Sequence, residues 1–237
     1  MTGYCRRAIA GPTLAALLVA FLQAATLLMA APAVAATPSG WRVSIDRFAR
    51  SDLRHPAWGY AHSVRNYQLA KALAASDAVT LDDDVLYAAA MLHDMAAFPA
   101  IAKEGVDHAD QGALTATAML RQTDFPQAKI EAVQAAIRTH MFDRKPVGPE
   151  ATYLHDADAL EWLGQIGVVR VIALIDPAGG QPNTMAMVGF LQDRLAKVPG
   201  KVLSPAGKAM ETVRKAELER FLAGLRRETG EFELLKD

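Results

Sequence analysis

Two residues able to bind a metal ion stand side by side near the middle of the chain, His93 and Asp94 in the segment AAAMLHDMAAFP. The apolar residues before them recur at helical spacing, so the sequence predicts a buried helix that ends in an imidazole and a carboxylate. Burying an ionised carboxylate without a partner costs several kcal/mol. The pair therefore predicts a nearby cation or a set of strong hydrogen-bond donors.

Two further segments place polar residues on apolar helix faces. His62 lies on the inward face of the predicted helix AHSVRNYQLAKALA, and Asp158 lies in the segment HDADALEWLGQIGVVR. A lone histidine on such a face is more often a hydrogen-bonded core residue than a ligand. Repetition on three helices favours a different interpretation, because one divalent cation would satisfy both acids and both imidazoles.

The order of these residues, His, then His-Asp, then Asp, resembles the HD-domain superfamily of metal-dependent phosphohydrolases. The three segments that carry the resemblance span residues 55–170. It implies that His62, His93, Asp94 and Asp158 are the metal ligands, that His93 and Asp94 form the catalytic pair, and that Asp94 orients the attacking water. Met95 and Ala96 follow Asp94 where the family usually has His-Asp-x-Gly, so the substrates of other members are not carried over.

Four more residues fit a wider version of the family pattern. His108 and His140 are similar to the extra ligands of two-metal members, and would hold a second cation, bind a substrate phosphate or simply brace their helices. Arg65 follows His62 by one helical turn and would neutralise a phosphate. Asp156 would orient a metal-bound histidine, or would be the ligand in place of Asp158.

The resemblance implies a hydrolase that cleaves a phosphate ester, either a nucleotide or another small phosphomonoester or diester, with a metal-activated water. The cation would be Mn, Fe, Ni, Co, Zn or Mg, in one copy or two. The segments around His62 and His93 also resemble HD members of the cyanamide hydratase branch, which hydrate a small nitrile. A third alternative is an HD domain that binds metal without turnover.

Composition limits the partners of the protein. The chain has 237 residues, and its 25 Lys and Arg against 26 Asp and Glu give no overall basic field. Nucleic acid is therefore not expected as the main partner, and a small, phosphorylated molecule is. The oligomeric state is left open.

Many Ala and Leu and few aromatic residues predict an all-α protein, a single compact domain of seven to nine helices.

The start of the chain predicts export. Two arginines precede an apolar run over residues 8–31, and small residues close it, so residues 1–36 read as a signal peptide of a periplasmic protein. The alternative is a membrane anchor over residues 8–31, which would make the membrane a partner. The only cysteine, Cys5, lies in this leader, so the mature chain has no thiol.

The remaining boundaries follow from breaks in the helical pattern. We expect a linker and a first surface helix over residues 37–54, the HD core over residues 55–176, and C-terminal helices completing the domain over residues 177–237. The three aspartates 82–84 are interpreted as a helix start, with an acidic metal cluster as the rival. Residues 164–175 are rich in Val and Ile but are assigned to a buried helix because no partner strand is evident.

Overall fold

The helix that carries His93 begins at the three aspartates, as predicted from the sequence. In the computed structural model, which describes residues 40–175 and 183–236, the side chain of Asp82 accepts hydrogen bonds from the backbone amides of Asp84 and Val85. These amides lack partners within the helix, so the aspartate caps its first turn. The acidic run is a helix start.

Nine α-helices account for most of the described residues, and the predicted all-α class is confirmed. The number agrees with the seven to nine helices expected. The helices are α1 (Gly40–Asp52), α2 (Tyr60–Ser76), α3 (Asp83–Leu92), α4 (His108–Leu120), α5 (Ile130–Arg138), α6 (Pro149–Leu160), α7 (Gly164–Ile172), α8 (Thr184–Lys197) and α9 (Pro205–Glu228).

The Val- and Ile-rich segment after residue 163 is helical, and it forms α7. Its apolar residues pack against the core through Val168 and Val171, so tertiary packing outweighs their preference for strands. Two prolines lie at or near helix starts. Pro126 precedes a short 3-10 turn, and Pro149 occupies the first turn of α6. A proline fits there because first-turn amides have no helical partner.

Helix α3 is the central element of the bundle. It contacts α1, α2, α5 and α6, and seven of its ten residues are buried. Three of the seven are consecutive alanines, Ala88, Ala89 and Ala90, whose small side chains allow the surrounding helices to approach closely. The residues that follow Leu92 therefore emerge in the interior of the bundle, where side chains from four other helices or their ends can reach them.

The first helix, α1, covers one side of this core with Trp41, Ile45 and Ala49, which are buried. The described residues belong to one compact unit, Pro38–Asp237. No helix among them is both long and apolar enough to cross a membrane. The predicted signal peptide lies outside the described residues.

Candidate metal centre

His93 and Asp94 lie where α3 ends. His93 closes the helix, and Asp94 opens the 3-10 turn Met95–Ala97. Helix α4 crosses this point closely: a methyl group added at Gly112 would lie 3.3 Å from the carbonyl oxygen of His93. A glycine at this crossing lets α4 pack against the end of α3 without displacing the His-Asp pair.

The carboxylate of Asp94 lies between two pairs of imidazoles. Its Oδ2 atom is 3.4 Å from Nε2 of His62 and 3.3 Å from Nε2 of His93. Its Oδ1 atom is 3.4 Å from Nε2 of His140 and 3.7 Å from Nε2 of His108. The predicted ligands His62, His93 and Asp94 are thus brought together, and the two histidines proposed for a second cation lie on the other side of the same carboxylate.

The other ring nitrogens of three of these histidines are held by acceptors. Nδ1 of His93 and Nδ1 of His140 lie 2.8 and 2.7 Å from main-chain carbonyls one turn earlier, and Nδ1 of His62 lies 2.9 Å from a carboxylate oxygen of Glu161. A proton on Nδ1 leaves the lone pair on Nε2. All three Nε2 atoms face Asp94, as expected for metal ligands.

The chemistry of this donor set fits a divalent cation. Nε2 of His140 is buried and has no hydrogen-bond partner, and the Nε2 atoms of His62 and His93 lie 3.2 Å apart. The amide nitrogen of Asn66 lies 3.1 and 3.5 Å from these two atoms, so His140 Nε2 is the imidazole nitrogen of the cluster that has no donor. A divalent cation would accept the lone pair of His140 and those of its neighbours. Within residues 40–175 and 183–236, two groups have ligand atoms within 4.8 Å of one another, namely His62, His93 and Asp94, and Asp94, His108 and His140.

Asp158 reaches the cluster from α6. Its Oδ1 atom lies 3.1 Å from Nε2 of His62, and its side chain is buried. Asn66, one turn after His62 on α2, donates a hydrogen bond of 3.3 Å to the same oxygen. The four residues implied by the HD resemblance therefore converge from three helices.

Electrostatics at the cluster favour a positive charge. Burial and the charge of Arg170 lower the pKa of His62, but hydrogen bonds to Asp158, Asp94 and Glu161 outweigh them and raise this pKa to about 9. Burial alone would raise the pKa of Asp94, yet the surrounding histidines hold it well below the usual range. A bound cation would supply the positive charge that these carboxylates otherwise draw from a proton.

Arg65 is already engaged. Its guanidinium lies 2.8 Å from Oε2 of Glu161, the carboxylate that also holds His62. The structure thus places Arg65 behind the cluster, as a partner of Glu161, and not in the position of a phosphate ligand that the sequence suggested. Burial alone would raise the pKa of Glu161, but hydrogen bonds from His62 and Arg65 lower it, and Glu161 in turn orients the His62 ring.

Asp156 also lies away from the predicted position. Its carboxylate accepts hydrogen bonds of 2.9 and 2.6 Å from the amides of Leu203 and Ser204, and it contacts Nδ1 of His155 at 3.0 Å. These contacts fasten the turn that precedes α9 to α6. Asp156 therefore serves the fold, and of the two acids in Asp156-Ala157-Asp158 the structure brings only Asp158 to the cluster.

Two residues of the site were missed by the sequence analysis. Glu161 lies three residues after Asp158, and this helical spacing on the same face was an available signal. Arg170 of α7 is 1% exposed, donates a 2.7 Å hydrogen bond to the carbonyl of Ala57, and lies 3.3 Å from Nε2 of His62. Nothing in the Val- and Ile-rich segment around Arg170 distinguished it from a surface cation.

A cavity of about 340 Å³ opens beside the cluster. Its polar lining comes from Asp94, His108, Asp158 and Arg170, which lie together at the site. The remaining lining is apolar and includes Trp58, Ala97, Met141, Trp162, Leu174 and Phe190. The volume is near the lower end of the range for small-molecule sites, about 300–1,000 Å³.

Comparison with known proteins identifies the domain. Residues 59–163, from the turn before α2 to the residue before α7, match the HD domain family. This match covers the residues on which the HD resemblance of the sequence depends, His62, His93, Asp94 and Asp158, and so confirms that resemblance. A comparison with curated proteins finds no match.

Solved structures share this fold. A predicted HD superfamily hydrolase from an uncultured Thermotogales bacterium is 26% identical with a TM-score of 0.56, covering 79% of this chain and 91% of its own. An HD-superfamily hydrolase from Bacillus thuringiensis is 22% identical, with a TM-score of 0.58 over 80% and 97% of the two chains. Bacillus subtilis YpgQ in complex with ADP is 14% identical, with a TM-score of 0.58 over 79% and 97%.

Proposed function

We propose that this protein is a metal-dependent hydrolase that cleaves a small phosphate ester. The observation that carries the proposal is the position of Asp94, whose two carboxylate oxygens face two pairs of imidazole nitrogens at one end of a cavity. Such an arrangement suits a site that both binds a cation and acts on a ligand. The ADP complex of a distant structural relative supports a phosphate-bearing substrate.

His62, His93, Asp94 and Asp158 would hold the first cation, and His108 and His140 would hold a second one with the other oxygen of Asp94. When bound, the metal would lower the pKa of a water molecule and polarise a phosphoryl oxygen. Imidazole and carboxylate ligands suit Mn, Fe, Co, Ni, Zn or Mg. The mature chain has no thiol to select softer metals.

The protein groups contribute orientation and exclusion of water. Asp94 lines the cavity, so its carboxylate is placed to orient the attacking water. His108 lines the same cavity, and burial lowers its pKa, which keeps the ring neutral near pH 7. The apolar lining limits bulk water around the reacting groups. The products would be an alcohol and inorganic phosphate, or their equivalents from a diester.

Export to the periplasm remains part of the proposal and rests on the sequence of residues 1–36 alone. N-terminal sequencing of the protein from a periplasmic fraction tests it. Cleavage after residue 35 or 36 is expected, and recovery of the intact N-terminus in membranes would favour the anchor instead.

A substrate panel tests the activity. Purified protein is assayed with added Mn²⁺ or Ni²⁺ against phosphomonoesters, phosphodiesters, nucleotides and cyanamide, alongside metal analysis of the same samples. Release of phosphate or of an alcohol, dependent on metal, is expected. Turnover of cyanamide alone would favour the hydratase alternative, whereas bound metal without turnover would favour a binding domain.

A further inference from the structure

Arg170 is a buried cation with an unused donor. Its Nε atom donates to the carbonyl of Ala57, and its Nη2 atom lies 3.3 Å from Nε2 of His62. Its Nη1 atom is buried and has no hydrogen-bond partner, because the acidic neighbour Asp158 lies 4.0 Å away, beyond hydrogen-bond distance. A buried guanidinium donor without a partner is costly, so a missing acceptor is indicated.

The missing acceptor fits the cavity. Arg170 is one of its lining residues, together with Asp94 and His108. The lone pair of His62 Nε2 serves one partner at a time, so a metal-ligated His62 would leave Nη2 of Arg170 free as well. Two adjacent guanidinium donors match two oxygens of a phosphate group.

The guanidinium is held firmly in place by an aromatic ring. Its central carbon lies 3.9 Å from the centre of the Trp162 ring, and Trp162 in turn contacts Phe190 with ring centres 5.7 Å apart. Stacking of this kind fixes the plane of the guanidinium before a ligand arrives. The guanidinium of Arg170 and the aromatic rings of Trp162 and Phe190 therefore pack together beside the cavity.

A third aromatic ring lines the cavity. Trp58 lines the cavity and is stacked on His55, with ring centres 3.4 Å apart and planes at 10°. Apart from the four polar residues at the cluster, the described lining offers no amide or hydroxyl side chain that would read the edge of a nucleobase. Burying such an edge against apolar walls leaves its donors and acceptors unpaired, which disfavours it.

We propose that Arg170 binds the phosphate of the substrate, and that the substrate is a phosphate monoester of a compact apolar group, aromatic or aliphatic, that contacts Trp58, Trp162 and Phe190. This inference rests on the proposed function and narrows its substrate class. Nucleotides, whose bases carry hydrogen-bonding edges, are the disfavoured class.

Binding of inorganic phosphate to the Mn²⁺-loaded full chain, measured by isothermal titration calorimetry, tests the role of Arg170. Arg170→Met removes the charge and keeps an apolar stem, and we expect phosphate affinity to fall about ten-fold or more with unchanged metal content. Arg194→Met is the matched control, since Arg194 also stacks on Trp162 and Phe190 but is not part of the cavity lining. The control is expected to stay within about two-fold of the wild type.

Unchanged phosphate affinity in Arg170→Met, or no phosphate binding by the wild type at millimolar concentrations, would overturn the assignment. Should the methionine variant fail to fold, Arg170→Lys carries the test. Lysine retains the charge but cannot present paired donors, so affinity is expected to fall at least about three-fold. Wild-type affinity in a folded lysine variant with normal metal content would overturn the paired contact with phosphate.

Kinetics with two esters test the apolar part of the cavity. The wild type is expected to prefer para-nitrophenyl phosphate over glycerol phosphate, and Phe190→Ala is expected to raise KM for the aromatic ester only. Equal kcat/KM values for the two esters, or a preference for a nucleotide, would contradict the substrate class. If the protein binds phosphate through Arg170 but hydrolyses no ester, the proposed function is refuted and the anion site is supported. If it hydrolyses esters and Arg170→Met does not change the rate, the proposed function is supported and the anion site is refuted.

Discussion

Carboxylates gather at both ends of α3, and their surroundings differ. At the start, Asp83 and Asp84 each lie 2.8 Å from Arg42, and Lys71 and Lys129 lie within 2.9 Å of the same acidic group. At the other end, Asp94 is surrounded by imidazoles. The aspartates at the start of α3 are neutralised by lysine and arginine, so they need no further cation and serve the start of the helix. Asp94 is buried among residues that can themselves bind a metal, which is the composition of a metal-binding site.

The largest expected effect comes from removing the carboxylate of Asp94, at the end of α3. Asp94→Ala removes the oxygens that face both imidazole pairs, so we expect loss of bound metal and a fall in kcat of about a thousand-fold or more. Metal content by mass spectrometry and steady-state kinetics on the substrate found in the panel measure both.

The matched control is Asp84→Ala at the start of the same helix. It breaks contacts with Arg42 and Lys129 at partly exposed positions, so it is expected to lower the free energy of unfolding by about 0.5–1 kcal/mol and to leave metal content and kcat within about two-fold. Equal metal loss in the two variants would remove the distinction between the two acidic groups.

An intermediate effect is expected at Glu161, which orients His62 through Nδ1. Glu161→Gln keeps the shape of the side chain but removes the negative charge, and we expect metal affinity to fall about 10- to 100-fold. Competition with a metal-binding dye measures it. Arg65→Gln leaves the Glu161 carboxylate in place, so it is expected to change metal affinity by less than about five-fold. A larger loss in the arginine variant would show that Arg65 acts directly at the site.

The smallest effect concerns stability in acid. Burial alone would raise the pKa of Asp83, but hydrogen bonds from Lys71, Tyr67 and Arg42 lower it to about 2. A pKa below that of the unfolded chain means that ionised Asp83 stabilises the fold above about pH 4, and that this contribution is lost as the pH falls towards 2. Because the side chain is 45% exposed, we expect Asp83→Asn to cost only about 0.5–1 kcal/mol near neutral pH.

Urea unfolding of the wild type and of Asp83→Asn at pH 7 and pH 3 checks this sign. The difference in unfolding free energy should narrow at the lower pH, where Asp83 of the unfolded wild type is largely protonated and that of the folded protein is still mostly ionised. A difference that is constant or widens in acid would show that the charge of Asp83 is not what stabilises this end of α3.

The helices were largely predictable from the sequence because their caps and apolar spacing are local properties. Asp82 at the start of α3 is one case, and His62, His93 and Asp158, which carry the HD resemblance, lie together in the structure. Arg65 and Asp156 contact other partners in the structure, and the reason is physical. Spacing along one helix shows that two side chains lie on the same face of that helix. It does not show whether one of them is already bound to a residue distant in the chain, as Arg65 is to Glu161 and Asp156 is to Ser204.

Arg170 is a residue of the site that the sequence analysis missed. Its neighbours in the sequence are apolar, and a lone arginine there reads as an exposed charge. Its role depends on Trp162, Ala57 and His62, which come from three different parts of the chain, so only the folded structure shows that the guanidinium is buried and directed at the cavity.

The most direct test of the metal centre is X-ray diffraction from crystals grown with Mn²⁺, with data collected at the manganese absorption edge. An anomalous peak bounded by His62, His93, Asp94 and Asp158 is the predicted result, and a second peak between Asp94, His108 and His140 would mark a two-metal site. Crystals that show no anomalous peak at these residues at millimolar Mn²⁺, or a peak only beside the aspartates at the start of α3, would contradict the account.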